Sequence, residues 1–112
     1  MAKYLISFPS EAMRLSEAEL AQAGVESRAV IEDAKAAGVY VFAGGINESA
    51  SPTLVAADGR ADQSTYAGSR LTGGFAVLEL PTRGDAIQWA SKIAAACRCS
   101  QELREFHYDP AS

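Results

Sequence analysis

The residue whose type best suits proton transfer is His107, the only histidine in the chain. An unperturbed imidazole titrates near neutral pH, so it can donate and accept a proton under physiological conditions. Glu105 lies two residues earlier, and residues two apart on a strand share one face. If that face lines a cleft, Glu105 can orient the imidazole and His107 can act as a general acid–base catalyst. The competing interpretation is a histidine at the surface or at a dimer interface.

Asp62 is the second candidate for acid–base chemistry. It lies in a stretch of small and polar residues between a hairpin turn and the central apolar run. A carboxylate buried by a partner subunit can act as a base or accept a hydrogen bond from a ligand. The alternative is an ordinary solvated carboxylate. His107 and Asp62 are the residues for which we predict a catalytic role, if the protein is an enzyme.

Two arginines and two tyrosines are candidates for binding a ligand. The guanidinium groups of Arg28 and Arg70 offer paired donors that fit a carboxylate or an enol oxygen. The alternative for each is a solvated arginine or an ion pair at the surface. Tyr66 and Tyr108 carry hydroxyls on apolar rings, which half-buried strands and interfaces also use. The predicted substrate-binding set is therefore Arg28, Arg70, Tyr66 and Tyr108.

Other motifs predict neither a metal site nor a cofactor. Cys97 and Cys99 stand at C-x-C spacing without a second cysteine or histidine cluster, which excludes a typical zinc site and a disulfide framework. The pairs Gly44-Gly45 and Gly73-Gly74 belong to no phosphate-binding motif, and neither opens a helix. We therefore expect no metal and no organic cofactor.

The bulk composition narrows the range of partners. The chain has 112 residues, is 48% hydrophobic and carries a formal net charge of −4. Its basic residues are scattered, whereas nucleic-acid binding needs them clustered. No apolar run approaches the roughly 20 residues of a membrane span, and the first residues do not have the pattern of a signal peptide. We expect one domain over residues 1–112, no nucleic-acid or membrane partner, and a cytoplasmic location.

Hydrophobic periodicity and turn signals predict four main strands, two helices and a hairpin. A capping box at Ser16 begins the first helix, within which Gly24 is a possible break, and Thr82 caps the second. Asp58-Gly59 is a strong hairpin turn. The predicted strands span residues 3–8, 39–43, 53–57, a part of 62–67, 75–80 and 101–108; the helices run to about residue 37 and about residue 97.

The apolar run Phe75–Leu80 indicates how these elements assemble. Five of its six residues are apolar, so it is expected to be covered on both faces. The order of elements is that of a ferredoxin-like α+β sandwich, whose helices cover only one face of the sheet. A bare apolar face is rarely tolerated in a monomer, so we expect a homodimer through the open sheet face.

Several short motifs together resemble the YCII-related, or DGPF-domain, family. They are the opening Lys3-Tyr-Leu-Ile, the Ala36-Ala-Gly-Val39 segment, Gly73-Gly-Phe75 and Asp85-Ala-x-x-Trp-Ala90. The resemblance covers nearly the whole chain. It implies a dimeric α/β barrel with a small cleft between sheet and helices, in which small molecules bind without metal or organic cofactor.

The chain lacks two motifs of that family that would carry acid–base chemistry. The Asp-Gly-Pro-Phe tetrapeptide is absent, and Asp62 is the only carboxylate available to replace its aspartate. Where related proteins have a histidine on the first helix, this chain has Arg28, which stays protonated and can hold an anion but cannot act as a routine base.

The predicted function is cofactor-independent binding of a small polar or anionic organic molecule. If the protein is an enzyme, a lyase- or isomerase-like proton transfer by His107 or Asp62 fits best. The alternative is a non-catalytic ligand-binding or regulatory dimer. A monooxygenase, as in other dimeric α/β barrels, has no residue signal beyond the fold.

Overall fold

The computed structural model describes all 112 residues and contains six strands, two α-helices and one short 3-10 turn. In chain order these are β1 (Ala2–Phe8), the 3-10 turn (Ser10–Ala12), α1 (Glu17–Ala36), β2 (Tyr40–Gly45), β3 (Leu54–Val55), β4 (Ala61–Asp62), β5 (Gly74–Leu80), α2 (Arg83–Cys97) and β6 (Glu102–Glu105). Neither helix combines the length and the apolar character that a membrane crossing requires.

Four strands form one antiparallel sheet in the order β2-β5-β1-β6. The two central strands are therefore the first and the third of the four main strands in the chain. This arrangement confirms the α+β class and is compatible with a ferredoxin-like fold. The short strands β3 and β4 form a separate two-stranded sheet.

The core lies on the face of the sheet that the helices cover. Ile6, Leu78 and Leu80 are almost fully buried there. They meet small side chains of α2, notably Ala86 and Ala90, which let the helix approach closely. Along β5 the two faces differ: Ala76, Leu78 and Leu80 are buried under the helices, whereas Phe75, Val77 and Glu79 on the other face are only partly buried. Ile93 and Trp89 join this core, although Trp89 packs at its margin and is only partly buried.

Both helices begin where local sequence signals place them. At α1, the Ser16 hydroxyl accepts from the Glu19 amide, and the Glu19 carboxylate accepts from the Ser16 amide at 3.1 Å. At α2, Thr82 accepts from the Asp85 amide. The possible break at Gly24 does not occur, because α1 runs through that residue without interruption. A glycine in a helix interior costs about 1 kcal/mol. That is small compared with the stabilisation from the backbone hydrogen bonds of a 20-residue helix.

The last strand is shorter than predicted. Its pairing with β1 ends at Tyr4↔Glu105, although β1 extends two residues further, to Ala2. A final bond from the Phe106 amide to the Lys3 carbonyl follows, at 2.9 Å. His107 therefore lies beyond the strand, and the expectation that it shares a strand face with Glu105 is wrong.

The hairpin turn at Asp58-Gly59 is confirmed, but its returning strand comes earlier than expected. Gly59 has φ +90°, which a turn this tight requires. The Ala56 amide therefore already donates to the Arg60 carbonyl, and Val55 pairs with Ala61. The return is at Ala61–Asp62 instead of within the segment up to residue 67. Residues 47–71, which we call the arm, project from the β2–β5 end of the sheet and are exposed throughout except for the half-buried Leu54.

Candidate functional site

A cleft of about 590 Å³ lies between α1 and the sheet. Its floor is the helix-covered face of the sheet, including Ile6, Phe8 and Ala76. One wall is α1, and Ile93 and Cys97 of α2 also line the cleft. The volume falls in the range of about 300–1,000 Å³ that small-molecule sites occupy, and most of the lining is apolar.

The residues of α1 that face the cleft explain why the helix does not close onto the sheet. They recur three or four apart along one side of the helix, as a packing stripe does. In this stripe, however, most residues from Ser27 onward are polar or charged. The lining residues of α1 are Leu20, Ala23, Gly24, Ser27, Arg28, Ile31, Glu32 and Lys35. Burying three charged side chains against an apolar sheet would be unfavourable, so the helix stays raised and the cleft stays open.

The rim of the cleft carries a net positive charge. Arg28, Glu32 and Lys35 follow one another at four- and three-residue spacing on the exposed edge of α1. The Lys35 ammonium pairs with the Glu32 carboxylate at 3.2 Å and lies 5.0 Å from the centre of the Tyr40 ring. Arg28 takes part in none of the five ion pairs of the chain. Its guanidinium is therefore the cation at the rim that has no partner in the chain.

Cys97 is the only thiol in the cleft lining, and it is poorly suited to nucleophilic chemistry. Burial raises the pKa of Cys97, with a smaller contribution from neighbouring Cys99. Burial likewise raises the pKa of Cys99. Since the thiolate is the nucleophile, the thiol in this wall acts as a small apolar group at neutral pH.

Among the six residues predicted from the sequence, Arg28 is the one that lines the cleft. Arg70 instead forms an ion pair with Glu11 at 2.6 Å, outside the cleft lining. A backbone hydrogen bond and the Arg70 guanidinium together lower the pKa of Glu11. Arg70 therefore already has an anionic partner from its own chain.

His107 and Tyr108 border a second, much smaller depression of about 120 Å³. Lys3 and Glu79 also line it, together with the last residues of the chain. Glu105, which we expected to orient the imidazole, is 3.8 Å from the Arg83 guanidinium instead. A volume of this size admits a few water molecules but no drug-sized ligand.

Asp62 and Tyr66 are both exposed residues of the arm. Asp62 is in β4 opposite Leu54, and Tyr66 follows in the turn-rich segment beyond it. Neither lines the cleft nor the smaller depression. The structure thus places His107 and Asp62 in separate regions, and their catalytic roles stay predictions.

Sequence reasoning missed three cleft residues that matter for charge and shape. Glu32 and Lys35 follow Arg28 at helical spacing, so an inspection of polar residues on the apolar stripe would have found them. Tyr40 begins β2 directly under Lys35, a contact that depends on how α1 crosses the sheet.

No group of three or more histidine, cysteine, aspartate or glutamate side chains is arranged to hold a metal ion.

No model of a known protein family matches the chain, and no curated protein is significantly similar to it. The resemblance to the YCII-related family therefore stays a prediction that rests on short motifs. The cleft and its unpaired arginine are properties of the chain's own geometry and do not depend on it.

Proposed function

We propose that this protein binds a small organic anion with an apolar body in the cleft between α1 and the sheet. The observation that supports this most directly is the unpaired Arg28 at the rim of a mainly apolar cleft. The apolar part of the ligand would lie over Phe8 and Ile31, and its anionic group would meet the guanidinium. A charged group at the rim keeps most of its hydration, so little desolvation opposes binding.

The protein is proposed to act as a homodimer through the open face of the sheet, in the manner that the YCII-related resemblance implies. Leu5, Phe75 and Val77 are only partly buried there. Phe42 beside them is 57% exposed. A contiguous patch of this kind on adjacent strands favours self-association. A single monomeric species in sedimentation at micromolar concentration would contradict the dimer.

Binding without catalysis is the version of this function that the geometry favours. The cleft lining contains no histidine, and burial raises the pKa of its one thiol, Cys97. The two residues predicted for acid–base chemistry line no common depression. A catalytic role for His107 would have to operate at the smaller depression, on a much smaller substrate.

The proposal can be tested by titration calorimetry with a panel of linear and aromatic carboxylates and the matching uncharged amides. We expect carboxylates to bind and their amides to bind more weakly. Arg28→Gln should weaken carboxylate binding about tenfold or more, because it removes a charge-assisted hydrogen bond, and should affect the amides much less.

The matched control is Arg83→Gln, which removes another exposed guanidinium, one that pairs with Glu105 outside the cleft lining. Its carboxylate affinity should equal that of the unmodified protein. Equal binding of carboxylates and amides, or an unchanged affinity in Arg28→Gln, would contradict the proposed site. Turnover of a bound ligand that is lost in His107→Ala or Asp62→Ala would establish the enzymatic alternative.

A further inference from the structure

The arm, residues 47–71, is a segment of 25 residues that its own chain leaves almost entirely uncovered. Val55, Tyr66 and Leu71 are 64%, 79% and 71% exposed. Its two short strands pair only with each other. An isolated two-stranded hairpin is marginally stable in water, so a segment of this length needs another surface to pack against.

The root of the arm is built rigidly, which argues against a lid that swings over the cleft of the same chain. The Ile46 amide donates to the Gly73 carbonyl at 2.8 Å, and the Ser10 amide donates to the Thr72 hydroxyl at 3.0 Å. Gly73 has φ +74° and lies so close to the Phe8 carbonyl that any side chain would collide with the backbone. This glycine is a site of tight packing and not a hinge.

Two side-chain bonds fix the direction of the arm further. The Ser10 hydroxyl donates to the Glu48 carboxylate at 2.9 Å. Arg70 pairs with Glu11 of the same 3-10 turn. Both edges of the arm are thus tied to residues 10–11, and the apolar side chains beyond are held out from the body.

The open sheet face alone gives only a small dimer interface. Four strands about 4.8 Å apart and about 20 Å long have a projected area of about 400 Å². A standard stable interface buries about 800 Å² of accessible surface on each partner, so additional contacts would strengthen the dimer. The arm continues directly from β2 and β5, the strands that carry Phe42 and Phe75 on the open face. It is therefore placed to supply additional contacts.

We propose that the arm of each protomer packs against a second copy of this chain, and that Val55, Tyr66 and Leu71 enlarge the interface formed by the open sheet faces. This inference rests on the proposed dimer and adds the segment that stabilises it. The partner surface lies beside the partner's open sheet face, because each arm extends from the end of that face.

The test measures the dimer dissociation constant by sedimentation on the full chain. The triple variant Val55→Ser, Tyr66→Ser, Leu71→Ser should raise that constant about tenfold or more, since apolar and aromatic anchors carry much of the affinity of an interface. All three side chains are exposed, so the fold of the protomer should not change, which circular dichroism checks. The matched control is Val25→Ser with Ile87→Ser, two exposed apolar positions on the helices, and it should leave the dimer intact.

A direct contact is tested by placing benzoylphenylalanine at position 66 and irradiating the protein. A covalent dimer supports the inference, whereas a cross-link confined to one chain shows a lid and overturns it. A dimer that Phe42→Ser dissociates but the triple arm variant does not would also overturn it and leave the sheet-face dimer standing. A monomeric wild-type protein would overturn both the role of the arm and the sheet-face dimer. Carboxylate binding in the cleft would still be tested separately with Arg28→Gln.

Discussion

Helices α1 and α2 cover the same face of the sheet, yet they bury very different shares of their residues. α2 buries five of its 15 residues, whereas α1 buries only Ala23 and Ala34 among 20. The stripe of α2 that faces the sheet is apolar throughout, and that of α1 is interrupted by Ser27 and Arg28. The difference indicates a division of roles: α2 holds the fold together, and α1 forms one wall of a binding cleft.

The largest difference between the two helices is expected in the free energy of unfolding when one isoleucine of each helix is replaced by alanine. Ile93→Ala in α2 should lower the free energy of unfolding by about 2–5 kcal/mol, because it empties a buried position. Ile31→Ala in α1 should cost only about 1 kcal/mol, since this side chain borders the cleft and is only partly buried. Urea unfolding of both variants measures the difference. Equal losses would mean that α1 is as tightly packed as α2.

The helix caps give a second, smaller contrast. Thr82→Ala and Ser16→Ala each remove a side-chain acceptor at a helix N-terminus, which costs about 1 kcal/mol. At α2 the loss should lower the stability of the whole domain. At α1 we expect part of it to appear as local fraying, seen as faster amide hydrogen exchange over residues 17–20 with little change at β5. Uniformly faster exchange in Ser16→Ala would contradict that contrast.

The smallest expected effect concerns the link between the helices. Arg98, in the left-handed conformation at the end of α2, pairs with Glu26 of α1 at 3.0 Å. The side chains of Gln22 and Arg98 lower the pKa of Glu26 below its ordinary value of 4.5. A lowered folded-state pKa stabilises the protein above the ordinary value, and the contribution is lost as the pH falls through the folded-state value.

The corresponding variant is Glu26→Gln, compared with the wild type by thermal unfolding between pH 6 and pH 3. The wild type should be the more stable above about pH 4.5, and the difference should disappear in acid. Added salt should shrink it as well, because the pair is partly exposed. A difference that grows as the pH falls would exclude this ion pair as its cause.

The sequence by itself determined the elements whose causes are local. The capping residues Ser16 and Thr82, the Asp58-Gly59 turn and the alternation of β5 act within a few residues, so they could be recognised without the fold. The order of these elements also predicted the α+β class. Arg28 was predicted as a ligand-binding residue from the chemistry of its guanidinium and from the resemblance to the YCII-related family.

Only the tertiary structure decided which residues come together. The end of β6 at Glu105, which leaves His107 beyond the sheet, depends on the pairing of β6 with β1, a strand about 100 residues earlier in the chain. The partner of Arg70 is Glu11, 59 residues away in the chain, which no local pattern indicates. The cleft exists because a helix with a partly polar stripe meets an apolar sheet, and its volume is set by how far those two surfaces stay apart.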